Sequence, residues 1–233
     1  MASSTQLKTR GFLLIASFFA VLVAIFTPLF PGVHGGKVNG LDYLDNFFNQ
    51  LSKGSAYYID QQLEKVKKVA GQEFATSMKM KTPEEAATTA KLFTVNGFAA
   101  KVEDVKVSVK GDFGAMLTVM LKDADLMYHN DGAAIAAKYG IDERLALNAW
   151  YLALTAMEKD LTKTKQFDQA KLVKNCMTKA IEPAYNYYKV EAKSVKAEMF
   201  MLIAALAFYV IYTMWYGFGL LFLFEGMGIK LEH

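Results

Sequence analysis

Two long apolar runs stand at opposite ends of this chain, with a segment of ordinary globular patterning between them. The first covers residues 11–33 and is interrupted only by Pro28 and Pro31, and the second covers residues 199–224. Neither run contains a charged side chain. Because a helix needs roughly 20 apolar residues to cross a bilayer, the pattern predicts two transmembrane helices. It leaves residues 34–198 as one domain that folds in water.

Helical periodicity dominates this central domain. Apolar residues recur every three or four positions from Leu41 to Leu51, over residues 59–74, and again from Asp142 onward. The sequence Thr-Pro-Glu-Glu at 82–85 is typical of a helix start, because threonine caps the first turn and acids favour the positive end of the helix dipole. Asn-Gly at 96–97 is typical of a helix end.

The pattern changes to period two near the middle of the chain. Valines at 102, 105, 107 and 109 approximate one face of a strand, and Gly111-Asp112 is typical of a turn. Ala115 to Leu121 then alternate again. This predicts a β-hairpin over about residues 101–121, packed on helices because a lone hairpin is marginal in water. The predicted fold class is mainly α with a small β-hairpin (α+β).

The last helix of the domain has no clear stop signal before the second apolar run. Pro183 can kink it, but apolar residues keep helical spacing through Tyr188, Ala192 and Val195. The sequence therefore predicts a long helix that leaves the domain and enters the second span with little break.

Charges near the apolar runs predict the orientation in the membrane. Lys8 and Arg10 precede the first run, and positive residues favour the cytoplasmic side. We therefore expect residues 1–10 and 225–233 in the cytoplasm and the domain on the extracytoplasmic side, in a two-pass protein of the inner (plasma) membrane. Three lysines on the domain side of the second run argue the opposite way, but they belong to a long segment, where the rule weakens: Lys189, Lys193 and Lys196.

Three interpretations of the first run remain open. We favour an uncleaved signal anchor, because the run is longer than the apolar core of a cleaved signal and the best cleavage site, at 33–35, is poor. Residues 10–14, Arg-Gly-Phe-Leu-Leu, resemble the peptidase site of a type IV prepilin leader. However, Ala16 stands where that family carries an acid, and a pilin has no second span. The closing residues 231–233 match the start of a common expression tag and equally fit a native ending, so we base no functional argument on them.

Composition excludes several classes of function. The net charge is only +3, without the concentrated basic face that nucleic-acid phosphates demand. One cysteine, Cys176, excludes an internal disulfide and a thiolate-rich metal centre, and its helical surroundings predict a buried, inert thiol. The sequence also lacks dinucleotide, P-loop, nucleophile-elbow and zinc-site spacings. We therefore expect neither enzymatic activity nor a cofactor.

One short stretch has chemical potential. His129-Asn130-Asp131-Gly132 lies near Asp123 and Asp125, so His129 and Asp131 are weak candidates for a metal or acid–base site. Only His34 is available as a second histidine from the body of the chain. The alternative is that Asn-Asp-Gly forms a turn and caps the following helix.

The second apolar run carries polar aromatics and glycines within its length. A buried phenol or indole needs a hydrogen-bond partner, and glycines let helices approach closely. We therefore predict that six residues pack against the first span or another subunit, the alternative being a tilted helix whose aromatics face lipid: Tyr209, Tyr212, Trp215, Tyr216, Gly217 and Gly219.

These features favour a protein that works through partners. We expect no output domain in residues 1–10 or 225–233, which are short, and no ionisable residue inside either run marks a transport pathway. We expect a structural or accessory subunit of an inner-membrane assembly that contacts lipid and other membrane protein subunits, or copies of itself. The alternatives are an extracytoplasmic ligand-binding module and a pilin-like subunit.

Overall fold

The computed structural model describes residues 3–33 and 35–229 and is mostly helical, at 68%. Within these residues it contains two small sheets and an apolar helix near each end. The coarse prediction of a mainly α fold with a small β component is therefore confirmed. In chain order the elements are α1 (Ser4–Phe26), β1 (Phe30–Pro31), β2 (Lys37–Val38), α2 (Gly40–Ser55), α3 (Ile59–Lys67), β3 (Glu73–Lys79), α4 (Pro83–Val95), β4 (Ala99–Glu103), β5 (Lys106–Asp112), α5 (Phe113–Tyr128), α6 (Gly132–Tyr139), α7 (Glu143–Lys163), α8 (Phe167–Cys176), a π-helical segment (Met177–Ile181), α9 (Glu182–Asn186) and α10 (Met199–Gly226).

The chain folds as two compact units. The first combines Met1–Gly54 with Ala192–His233, and the second is Ser55–Glu191. The first unit therefore includes α2, which the sequence assigned to the 34–198 domain. The reason is local, since Phe30 of β1 stacks on Tyr43 of α2 with ring centroids 5.5 Å apart.

The first apolar helix differs from the predicted 11–33 range at both ends. A capping box between Ser3 and Gln6 starts α1 at Ser4. The helix ends at Phe26 because Pro28 cannot continue the backbone ladder. The following residues pair instead as β1 and β2, with Phe30 opposite Val38.

The second sheet corrects the predicted hairpin. Its order is β3-β5-β4, all antiparallel, and the true hairpin joins β4 to β5 through Asp104, which has a φ of 54°. The predicted second strand, 115–121, is wrong, since these residues lie in α5. Asp112 does not form the turn but caps α5 by accepting the N–H of Ala115 at 2.9 Å. The alternation there was misleading because α5 is apolar on several faces.

Strand β3 was not foreseen, because residues 70 and 74 extend the helical spacing of α3. Helix α3 ends at Lys67, and Gly71, with a φ of 80°, turns the chain into the sheet. Phe74, Thr76 and Met78 then alternate as buried positions. The core of the second unit lies around Trp150, whose ring meets that of Phe93 edge-to-face at 5.0 Å.

The predicted long helix into the second span is also wrong. The run α8, π-segment and α9 ends at Asn186, and residues 187–198 contain no helix. Lys189 adopts a left-handed φ of 67°. The side chain of Asn130 fixes this turn, because its carbonyl accepts the Lys189 N–H at 2.8 Å and its amide donates to the Val190 carbonyl at 3.0 Å.

This clamp gives a first prediction. Asn130 itself has a φ of 65°, so Asn130→Gly keeps the backbone conformation and removes both hydrogen bonds. We expect a loss of about 1–3 kcal/mol in the free energy of unfolding and faster amide hydrogen exchange at Lys189. Asn130→Asp is the control, since it retains the acceptor and should retain most of the protection at Lys189. Unchanged exchange in Asn130→Gly would contradict the clamp.

Candidate functional site in the paired apolar helices

Helices α1 and α10 lie side by side and run in opposite directions. The Ser4 hydroxyl at the start of α1 donates to the Gly226 carbonyl at the end of α10 across 2.6 Å. Further along, Gly219 lies against Ile15. Both helices are long and apolar enough to cross a membrane.

Glycines bring the two backbones unusually close. A Cβ placed on Gly11 would lie 2.7 Å from the Leu223 amide nitrogen and 2.9 Å from the Gly219 carbonyl oxygen. One on Gly226 would lie 2.8 Å from the Lys8 amide nitrogen. Close approach through small residues is how helices associate in lipid. The packing also explains a glycine at position 11 independently of any leader-peptidase site.

Of these three glycines, only Gly219 is among the six residues predicted to pack. It is buried against α1, whereas Gly11 and Gly226 are buried there too but are not among the six. The seven-residue spacing of Gly219 and Gly226, which places both on one helix face, was the available signal.

The polar aromatics of α10 divide between two faces. The Tyr212 ring stacks on Phe18 with centroids 4.3 Å apart, and the Tyr216 ring lies 4.9 Å from the same residue. The Tyr212 hydroxyl and the Trp215 indole nitrogen are buried without a hydrogen-bond partner among the described residues. Tyr209 points away, with 69% of its surface exposed.

Gly217 also faces outward, since a Cβ there would have no atom within 4 Å. Of the six residues predicted to pack, Tyr212, Tyr216 and Gly219 therefore lie against α1, whereas Tyr209 and Gly217 face outward. Beyond Arg10, the outer surface of the pair is mostly apolar and carries large exposed side chains, among them Phe12, Leu13, Val23, Phe200, Ile203 and Ile211.

The predicted metal candidates lie in the second unit. Asp131 caps α6 by accepting the Ala134 N–H at 3.3 Å, which is the turn-and-cap role weighed from the sequence. His129 Nδ1 lies 3.1 Å from a carboxylate oxygen of Asp125, and that oxygen accepts the Tyr57 hydroxyl at 2.8 Å. Burial, then this hydrogen bond, raises the pKa of Tyr57, so the phenol stays a donor.

No group of three or more His, Cys, Asp or Glu side chains within residues 3–33 and 35–229 is arranged to hold a metal ion. His34, the other histidine considered, lies outside the described residues. His129 and Asp125 thus form a pair at the surface, and the Tyr57 hydroxyl donates to the same carboxylate.

Asp123 forms a buried polar network that the sequence did not reveal. Its carboxylate is 1% exposed and accepts the Lys138 ammonium at 2.8 Å, the Trp150 indole N–H at 2.7 Å and the Tyr139 hydroxyl. Asn96 donates in turn to the Tyr139 oxygen at 2.7 Å. Burial is the larger cause, and the hydrogen bond to Asp123 the next, of a raised pKa at Tyr139, so the phenol stays protonated as a donor.

The sequence grouped Asp123 with Asp125 and His129, but the structure separates them. Residues two apart in a helix point about 200° apart, so Asp123 faces the core while Asp125 faces the surface. Since every oxygen of Asp123 is engaged, the network acts as a structural anchor for α5, α6 and α7.

Comparison of the chain with protein-family models, with curated proteins and with solved structures finds no match.

Proposed function

We propose that this chain is a two-span membrane-anchored structural or accessory subunit of an inner (plasma) membrane assembly, acting through protein partners. The observation that carries the proposal is the apolar exterior of the paired helices α1 and α10. Contact with water is unfavourable for large apolar side chains such as Phe200, which is 86% exposed, and Val23, which is 66% exposed. Lipid or other membrane helices are the surroundings that suit them.

The close packing of α1 on α10 supports insertion as one antiparallel hairpin. Ser4 and Gly226 lie together at one end of the pair, so the two ends of a spanning hairpin share one face of the membrane. Lys8 and Arg10 near that end favour the cytoplasm. The second unit is then extracytoplasmic.

The free face of α10 supports a protein partner. Tyr209 places a phenol on this face inside an apolar helix, where lipid offers no hydrogen bond. Gly217 leaves open space on α10 that a neighbouring helix of another chain can fill. Its partner is another membrane protein subunit or a second copy of this chain.

Gentle extraction from native membranes followed by native-size analysis tests this proposal. We expect the wild-type chain in a particle larger than a monomer. Gly217→Leu, which fills the open space on α10, should shift most of the chain to monomer size without lowering its abundance. Ala16→Leu is the matched control, since it enlarges an exposed small residue of α1. A wild-type particle of monomer size with no co-purifying protein would overturn the proposal.

A further inference from the structure

A small polar pocket lies beside the π-helical segment in the second unit. Its volume is about 300 Å³, which is at the lower end for small-molecule sites. Asn148 and Tyr151 of α7 line one wall, and Ile181, Glu182, Tyr185 and Asn186 line the other.

The polar side chains around this pocket have no hydrogen-bond or ion-pair partner among residues 3–33 and 35–229. The side chains of Asn148, Tyr151, Glu182, Tyr185 and Asn186 form no hydrogen bond or ion pair with any residue that the structure describes. Neighbouring polar side chains do have hydrogen-bond partners, since Thr155 donates to the Tyr151 carbonyl and Tyr188 donates to Glu143 at 2.9 Å. Tyr151 and Glu182 are half-buried and Asn148, Tyr185 and Asn186 are exposed, so all five side chains are accessible to a polar ligand in this concavity.

The π-helical segment explains how these side chains converge. The Glu182 N–H bonds to the Met177 carbonyl, five residues back, which widens this turn. Pro183 follows and has no N–H to donate to the preceding turn. The extra residue rotates α9 relative to α8, so that Glu182, Tyr185 and Asn186 face α7. Such π-turns occur frequently at functional sites.

The chemistry of the lining selects among ligand classes. The Glu182 carboxylate disfavours an anion. The Arg144 guanidinium, 5.8 Å from the centre of the Tyr185 ring, disfavours a cation beside that ring. Two amides and two phenols supply both donors and acceptors, which matches hydroxyl groups that donate and accept. The phenol rings also offer apolar surface to the C–H groups of a ligand.

We propose that this pocket binds a hexopyranose ring, either as a free sugar or as the end unit of a glycan. Asn148, Glu182 and Asn186 bind the sugar hydroxyls, and Tyr151 and Tyr185 contact the ring. This site is independent of the proposed role of α1 and α10, so the two proposals fail separately.

Saturation-transfer difference NMR on the full chain in lipid nanodiscs tests the site, because detergents with sugar headgroups would compete. The probes are D-glucose, D-galactose and N-acetyl-D-glucosamine, each also as its methyl glycoside. Methyl glycosides mimic a glycan end and free sugars mimic the monosaccharide, so their relative affinity distinguishes the two sources. Tetramethylammonium is the cationic probe.

We expect binding of at least one sugar, weakened about tenfold by Glu182→Gln and by Asn148→Ala, the size of one lost hydrogen bond. Glu73→Gln, at an exposed position of β3 outside the pocket, is the matched control and should bind normally. Circular dichroism confirms folding, and Asn148→Ala, on the surface of α7, keeps the test open if Glu182→Gln misfolds. The proposal would be overturned if no sugar binds, if both pocket variants bind sugar as tightly as the wild type, or if only tetramethylammonium binds.

Discussion

Replacing Asp123 by alanine is expected to destabilise the second unit by about 2–6 kcal/mol, because two buried donors each lose their acceptor at a cost of about 1–3 kcal/mol. The change leaves the Trp150 and Tyr139 donors buried without an acceptor and Lys138 without its counter-ion. Since a domain of this size is stable by only about 5–15 kcal/mol, the loss removes a large part of its stability. Chemical denaturation of the purified protein measures it.

Cys176 supplies a second readout of the same prediction. It is the only cysteine in the chain and is fully buried. Burial raises its pKa to about 12, so at pH 8–9 the folded thiol stays protonated and unreactive. Unfolding returns the thiol to a pKa of about 8.5, where thiolate forms and alkylates rapidly. Asp123→Ala should therefore label far faster than wild type in this pH window.

Asp168→Ala is the matched control for the Asp123 experiment. Asp168 is an exposed aspartate in the first turn of α8, where its charge contributes at most about 1 kcal/mol. Its removal should leave thiol labelling close to wild type. A loss below about 1 kcal/mol in Asp123→Ala would show that the buried network contributes little.

Helices with strong local signals could be predicted from the sequence. Helix α4 begins after Thr82, whose hydroxyl accepts the Glu85 N–H, and ends at Val95, before the capping residue Asn96. Helix α7 follows from its regular apolar spacing, although Leu145 on its second apolar face is 48% exposed. Such features depend on residues within one or two helical turns of each other, so a short stretch of sequence is enough to predict them.

Strands were harder to predict because their pattern overlapped with that of helices. In α5 most positions are apolar, and the buried residues Met116, Leu117, Met120 and Leu121 fit both the helical and the alternating pattern. In β3 the residue Phe74 also fitted the spacing of α3. Phe74 lies in a strand because it pairs with Gly111 of β5, and no residue near Phe74 in the sequence predicts that pairing.

Contacts between distant residues could not be predicted at all. Asn130 holds the backbone at Lys189, far along the chain, and so ends the helix that periodicity extended. Asp123 meets Lys138 and Trp150 only after α5, α6 and α7 have packed. Both residues lie in or near the 129–132 stretch that suggested chemistry in the sequence, because the same polar residue types occur in a buried network and at an active site.

Gly11→Leu is expected to separate α1 from α10, with a destabilisation of about 2 kcal/mol or more from overpacking. The first added carbon alone would lie 2.7 Å from the Leu223 amide nitrogen, and a backbone atom cannot move aside as a side-chain tip can. A short bifunctional thiol reagent measures the pairing through Phe18→Cys and Tyr212→Cys, whose native rings are stacked. Gly11→Leu should lower the yield of this cross-link several-fold.

The matched control for Gly11→Leu is Gly217→Leu, the same enlargement where a Cβ meets no atom within 4 Å. It should leave the Phe18–Tyr212 cross-link intact while reducing the native particle size. Gly11→Leu should instead lower the yield of the cross-link within a single chain, because Gly11 lies on the face of α1 that contacts α10. If both variants cross-link like wild type, α1 and α10 do not pack through their glycines, and the membrane hairpin on which the proposed function depends is wrong.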